Sequence, residues 1–400
     1  VNIAAMSTAR EGLKNAALGR TPDWANNNAR PELRTTHGIV MRHIALGGIY
    51  GLWVVGLGFF VGMWIVSVLC ALRWAWTAVV DGSATPIPFV VKLFIGVGGM
   101  HESYHFLTRN SSHRWPWMRR LLRYIFLHYP YFRLNVTVFD EREEAEKKLR
   151  EVGHASGEEL LDDSAAACKA VEENDTSPFV EPNARSLFAF HPHGVLSNGF
   201  SLNGAHHMAF ERADCLWLVA ENLFWFPLLH DLLNWTDFDT VAKDTFHRVM
   251  PTGQNIGLIP GGFEEATLYR RGKHRVFLKK RFGFIKLALQ YGYKVHPVYT
   301  FGEEYAYYTF PYLLKLRLKM NEFKLPAAVF FGRLQCCFMP RTDVDLITVV
   351  GKPLALPRIE HPTREDVKKY HNEYVVALQE LFDKYKGVYA VDADAKLELY

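Results

Sequence analysis

The sequence predicts an α/β fold with a central sheet flanked by helices, preceded by an N-terminal membrane-embedded segment. Three observations carry this prediction. From Arg185 onward, short apolar runs of strand length alternate with helix-length periodic stretches. The last of those stretches has an N-cap signature at its start. No charged residue occurs in the 29 positions from Ile44 to Leu72, a run that soluble core helices rarely tolerate.

Composition narrows the class further. A chain of 400 residues with 28 Phe, 18 Tyr and 10 Trp can bury a sizeable core and is not disordered. A net charge of +4 excludes polyanion binding by bulk charge, and nucleic acid is not an expected partner. Cys70, Cys168, Cys215, Cys336 and Cys337 form no CxxC pair, so neither a disulfide framework nor a zinc site is expected.

Residues 1–38, rich in Asn, Ala and Arg, read as a mobile arm. Residues 39–100 read as membrane-embedded. As one helix the uncharged run would span about 44 Å against roughly 30 Å of hydrocarbon, so it fits a tilted single helix or a re-entrant hairpin bent near Gly56 and Gly58. Ile87 to Met100 is a second, shorter apolar stretch interrupted by Lys92. Residues 101–135 carry Arg109, Arg114, Arg119, Arg120, Arg123 and Arg133 interleaved with Trp and Tyr, the composition of a headgroup-level belt. Residues 140–183 read as a solvated acidic insertion: Asp140 to Glu181 holds 14 acidic and 5 basic residues, with one helix expected around Glu158–Glu173.

Beyond Arg185, strands are expected at Ser186–Phe190, Cys215–Ala220, Ile256–Ile259, Val295–Thr300 and Ile347–Val350, and helices at Phe282–Tyr291 and Thr363–Lys386. Thr363 with Asp366 makes a capping box, and Gly387 is the expected stop. Residues 391–400 read as a C-terminal tail.

Several chemistries are absent or weak. There is no GxSxG elbow and no Walker A loop, and the Gly96–Gly98 pair sits in an apolar run. His101-Glu102-Ser103-Tyr104-His105 fits HExxH, but it joins an apolar stretch to a basic-aromatic belt; no metal is expected there. The sharper feature is His191-Pro192-His193-Gly194 directly after a strand. Proline stiffens the turn, and a histidine held there can act as a general base near neutral pH. Pro260-Gly261-Gly262-Phe263-Glu264-Glu265 follows another strand, and loops at the carboxyl ends of neighbouring strands converge on one crevice. That would bring Glu265, or Glu264, toward the histidines as an orienting carboxylate. Amides near Gly194, Gly261 and Gly262 would be available to hold an oxyanion. No acidic residue falls between Ala266 and Gly302, whereas Arg270, Arg271, Lys273, Arg275, Lys279, Lys280, Arg281 and Lys286 do. A field of that sign suits a phosphorylated cosubstrate or anionic headgroups.

Taken in order, HPHG at 191–194, PGG-x-x-E at 260–265, RFGFIKLALQYGYKVHPVYTFGEE at 281–304, VVGKPL at 349–354 and YHNEYVVALQELFDKYK at 370–386 resemble the type 2 diacylglycerol acyltransferase family and its monoacylglycerol and wax-alcohol relatives. The resemblance covers residues 120–390. It implies a glycerolipid-acyltransferase-like fold and transfer from acyl-CoA, a cosubstrate rather than a bound cofactor, to a neutral lipid alcohol. Diacylglycerol is the expected acceptor, with monoacylglycerol or a long-chain alcohol as alternatives. A catalytically silent lipid-binding protein and a membrane metalloprotease are more distant alternatives. An endoplasmic reticulum membrane and lipid-droplet residence are expected with it, and by the positive-inside tendency the basic belt and the catalytic domain are expected to face the cytosol. The family's histidines fall on His191 and His193, and its loop glutamate on Glu265. The sequence departs from the wider acyltransferase pattern, which has Asp five positions after the catalytic histidine; Leu196 and Asn198 stand there instead. The orienting acid is therefore expected from Glu265, and the base at His193 ahead of His191. Arg270, Arg271, Lys273, Arg275, Lys279, Lys280 and Arg281 are the expected acyl-CoA contacts.

Overall fold

The computed structural model describes residues 35–83, 85–108, 114–140, 180–225, 229–322 and 327–400. The arm therefore lies outside the described residues except for its last four positions, and the acidic insertion with its expected helix lies outside them except at its edges. Among the described residues the strands are, in chain order, β1 (Leu134–Phe139), β2 (Ser186–His191), β3 (Cys215–Val219), β4 (Phe238–Thr240), β5 (Asn255–Leu258), β6 (His274–Val276), β7 (Lys294–Phe301), β8 (Tyr308–Thr309), β9 (Phe330–Phe331), β10 (Asp345–Val350) and β11 (Leu397–Leu399). The α-helices are α1 (Thr36–Tyr50), α2 (Gly56–Val80), α3 (Phe89–Thr108), α4 (Pro116–His128), α5 (Leu229–Trp235), α6 (Lys243–Val249), α7 (Gly262–Leu268), α8 (Gly283–Tyr291), α9 (Leu314–Asn321) and α10 (Arg364–Tyr389).

The uncharged run stays helical throughout. Thr35 caps α1, its hydroxyl accepting from the Gly38 amide at 3.1 Å, and a π-helical turn at Gly51–Val55 leads into α2. The chain does not bend at Gly56 and Gly58. It reverses at 81–88, where Gly82 adopts a left-handed φ of 63° and Pro86 and Pro88 follow. The result is a hairpin of α2 and α3, with Phe94 meeting the rings of Phe59 and Trp64 at 6.4 and 5.7 Å. Val61–Val80 is the one helical stretch among the described residues long and apolar enough to cross a membrane. From Phe89 onward the second apolar stretch runs on through His101 in one continuous helix, α3. His101 there faces Asp231 at 3.5 Å.

Within the basic-aromatic segment the described guanidinium groups divide: Arg119 and Arg123 are turned inward, whereas Arg114, Arg120 and Arg133 are exposed. Arg123 is buried and donates to the carbonyls of Ala205 and Phe210. Arg119 and Arg114 pair with Asp237, and Arg133 makes a two-pronged bond to Asp345 at 2.5 and 2.6 Å. A planar guanidinium with several fixed donors suits such internal bracing. Trp115, Trp117 and Tyr124 remain exposed.

The sheet has seven strands in the order β1-β10-β7-β2-β5-β3-β4. Neighbours are parallel except β7 with β10. All five expected strands form, within one or two residues of the expected ends. β1 was not anticipated, because its partner β10 lies some two hundred residues on and Leu134 pairs with Asp345. Every residue of β2 is buried, and β2 and β5 lie side by side with Leu187 opposite Ile256 and Ala189 opposite Leu258. Their carboxyl ends therefore deliver the 191–194 and 260–265 turns next to each other.

α10 starts at the expected capping box but does not stop at Gly387. It continues to Tyr389, whose ring is buried with Tyr385 and Phe382 in the core, so packing outweighs the helix-breaking tendency of one glycine. The tail is folded as well. β11 pairs with β6, and the Tyr400 carbonyl accepts from the amides of Leu278 and Lys279 at 2.9 and 2.7 Å.

Candidate active site

Two buried carboxylates shape the turn after β2. Glu265, in the first turns of α7, accepts from the main-chain amides of His193 (2.5 Å) and Phe277 (2.8 Å). Glu303, beyond β7, accepts from the Asn198 amide (3.2 Å), the Asn198 side chain (2.7 Å) and the Gly199 amide (2.8 Å). Burial pushes the Glu303 carboxyl up to about 7, with the bonds from Gly199 and Asn198 opposing that rise. Gly194, at φ 65°, lies against Glu303, and a Cβ there would fall 2.0 Å from its carboxylate. A Cβ at Gly261 would fall equally close to the carboxylate of Glu265. Both glycines are thus required to admit the struts.

The two histidines separate. His191 is fully buried: Nε2 lies 3.1 Å from the Tyr374 hydroxyl and Nδ1 3.5 Å from Glu265 Oε2. His193 is half-buried and lines a cavity of about 1280 Å³. Its Nδ1 sits 3.1 Å from the Gly194 carbonyl oxygen. A carbonyl only accepts, so Nδ1 carries the proton and Nε2 keeps its lone pair; the Ser197 hydroxyl lies 3.3 Å from Nδ1 and 3.4 Å from Nε2. Burial holds the His193 pKa below its ordinary value; the charge of Glu265 works against that shift.

Glu265 thus stands beside both histidines: its carboxylate bonds the backbone amide of His193, and the imidazole it faces is that of His191. Glu264 is a different kind of residue: it pairs with Arg281 and lines the cavity. Of Gly194, Gly261 and Gly262, the last alone lines the cavity.

The expected cationic set also divides. Lys280 and Arg281 line the cavity. Arg275 is tied to Glu398 of β11 at 2.8 Å, and Arg271 donates to the Tyr305 carbonyl and stacks on Tyr305 and Tyr308. Arg270, Lys273 and Lys279 are exposed and do not line the cavity.

Sequence reasoning missed Glu303, Ser197, Tyr374 and Tyr50. Tyr50, the last residue of α1, donates to Asn198 Oδ1 at 2.6 Å and so joins the helical segment to the turn. The FGEE run at 301–304 was the available signal for Glu303. Ser197 and Tyr50 had none, since their importance comes from what they touch. Asn198, at the position where the wider pattern has Asp, braces Glu303 and Tyr50.

A volume of about 1280 Å³ exceeds the roughly 300–1,000 Å³ of ordinary small-molecule sites. The lining combines Val61, Trp64 and Phe94 of the helical hairpin with His193, Lys280 and Arg281. The site is that of a mixed α/β protein in which a half-buried histidine opens onto a large, mostly apolar chamber. The family model for diacylglycerol acyltransferase matches residues 170–400, and the chain belongs to that family; it is an acyltransferase. It is 35% identical over 224 residues to diacylglycerol O-acyltransferase 2 of Dictyostelium discoideum, covering 52% of this chain and 68% of that one. It is 31% identical over 252 residues to the human diacylglycerol O-acyltransferase 2-like protein 6, covering 58% and 74%. The crystal structure of the 1-acyl-sn-glycerophosphate acyltransferase of Thermotoga maritima covers 80% of this chain at 13% identity and a TM-score of 0.34, a likeness too distant to carry an argument.

Proposed function

We propose that the chain is a membrane-bound enzyme that transfers a fatty acyl group from acyl-CoA to the free hydroxyl of diacylglycerol, forming triacylglycerol, with His193 as general base. Nε2 takes the hydroxyl proton as the oxygen attacks the thioester carbonyl. The tetrahedral oxyanion is held by backbone amides, that of Gly262 foremost, with Gly194 and Gly261 shaping the turns. Collapse forms the ester and expels the CoA thiolate, which recovers the proton from the imidazolium. Glu265 and His191 position the turn, and Lys280 and Arg281 meet the phosphates of CoA; the remaining cations from Arg270 to Lys279 contribute field.

The observation that carries this reading is that one cavity holds His193 together with apolar residues of the α2–α3 hairpin and two cations. An acceptor lipid can then reach the base without its chains entering water. The same hairpin anchors the protein in the endoplasmic reticulum membrane, with access to lipid droplets and the catalytic domain in the cytosol. Expression in cells that lack triacylglycerol synthesis, followed by chromatography of their neutral lipids, tests the reaction. Restored triacylglycerol is expected. Wax esters from a supplied long-chain alcohol, or diacylglycerol made from monoacylglycerol, would assign one of the alternative acceptors, and no acylated product would overturn the proposal.

A further inference from the structure

Behind the base lies a buried polar chain that the reaction above does not use: Tyr50, Asn198 and Glu303. A carboxylate only accepts, which fixes the sense of the Asn198 amide. Nδ2 donates to Glu303 at 2.7 Å, and Oδ1 accepts from the Tyr50 hydroxyl at 2.6 Å. Glu303 also takes the main-chain amides of Asn198 and Gly199. It packs so closely on Gly194 that a Cβ there would fall 2.0 Å from its Oε1. One carboxylate thus grips both ends of the 194–199 turn. Between those ends Ser197 is held at a left-handed φ of 54°, a conformation that a serine keeps only where its surroundings impose it. The Gly194 carbonyl in turn receives the Nδ1 proton of His193. What fixes the turn therefore fixes the imidazole.

We infer that Tyr50 and Asn198 are positioning residues for His193, acting through Glu303 and the strained turn. The inference rests on the reading of His193 as general base and extends the support of that base beyond the sheet. Tyr50 closes α1, and the π-helical turn and α2 follow it directly. The segment that leads into the apolar hairpin thus supplies the hydroxyl at the far end of the chain. Without that hydroxyl the buried Oδ1 of Asn198 loses its donor, and an unpaired buried acceptor is relieved by movement. Asn198 cannot move without releasing Glu303, and with it the turn that orients the ring.

The test is a polarity swap, read as kcat and KM on purified full-length protein in detergent, with the yield of folded protein measured alongside. Tyr50→Phe keeps the ring and its packing. It should lower kcat roughly 10-fold at unchanged KM for acyl-CoA, as loss of one donor to a buried acceptor implies. Asn198→Asp sets a second carboxylate against Glu303, and Glu303→Gln turns an amide donor toward Asn198; each should cost roughly 10- to 100-fold in kcat. In the double variant the new amide at 303 can donate to the new carboxylate at 198, which still accepts from Tyr50, so kcat should recover toward wild type. Losses that multiply in the double variant, or a kcat unchanged by Tyr50→Phe, would overturn the inference. So would a loss confined to the yield of folded protein at normal kcat, which would leave these residues a role in stability alone. Tyr50→Phe decides the question if the other variants do not fold. His193→Ala in the same assay separates the two readings. Normal turnover of that variant would overturn the base assignment and this inference together, whereas an inactive His193→Ala beside a normal Tyr50→Phe would overturn this inference alone.

Discussion

The two kinds of wall around the cavity are built on opposite principles. At the strand ends, polar groups are buried and paired: Glu265 and Glu303 together accept five hydrogen bonds from the 193–199 turn and Phe277. Along α2 and α3, apolar groups are turned outward. Val79 is 85% exposed and Trp76 68%, whereas Leu187 and Phe188 in β2 are 0% exposed. Similar side chains thus meet opposite surroundings. An apolar side chain left in water forgoes about 1.5–3 kcal/mol of burial, so the helical wall is incomplete by itself while the strand-end wall is paired within the fold. The difference teaches that chemistry and placement are carried by separate parts, joined at the Tyr50–Asn198 bond.

If that division holds, substitutions in one wall should leave the property of the other untouched. The largest effect on turnover is expected for His193→Ala, at about 10²-fold or more, with unchanged recovery in the membrane fraction. Turnover within a few-fold of wild type would remove His193 from the base position.

Glu265→Gln should follow. A neutral amide can accept one of the two amide bonds, but its NH₂ group faces the other donor, so a loss of roughly 10- to 100-fold is expected. Glu264→Gln leaves only a cavity-edge pair with Arg281 unmade and should cost far less. Equal, mild effects in steady-state assays would mean the strut does not govern the turn.

A smaller effect sharpens the same wall. The base must be neutral to act, and burial disfavours its charged form, so the fall in kcat/KM on acidification should come below pH 6.5. Because the charge of Glu265 raises the His193 pKa, Glu265→Gln should move the residual activity's acid limb lower still. A limb above pH 6.5 in the pH–rate profile would contradict the assignment.

The smallest effect on turnover is expected from the helical wall. Val79→Lys together with Trp76→Lys on the outer face of α2 should release protein on alkaline carbonate extraction yet leave detergent-solubilised activity close to wild type. Retention in the membrane, or a matching collapse of activity in detergent, would show that placement and chemistry are not separable. Protease protection of sealed microsomes checks sidedness, with the catalytic domain expected to be digested.

Much of this protein was legible in the chain because it depends on near neighbours. Apolar periodicity located β2, β3, β5, β7 and β10 and the start of α10, and the lack of charge from Ile44 to Leu72 marked the exposed apolar helix. The two turns that meet at the site follow from strands whose ends the sequence located closely. What tertiary structure alone decided is where side chains point and what stands opposite them. His191 and His193 are two residues apart, yet one is sealed against Tyr374 and the other faces the cavity. Arg119 and Arg123 are turned into the interior, β1 finds its partner two hundred residues away, and Glu265 grips the backbone amide of His193 while facing the ring of His191. No local pattern encodes these choices, because each is set by a partner distant in the chain and brought near only by the fold.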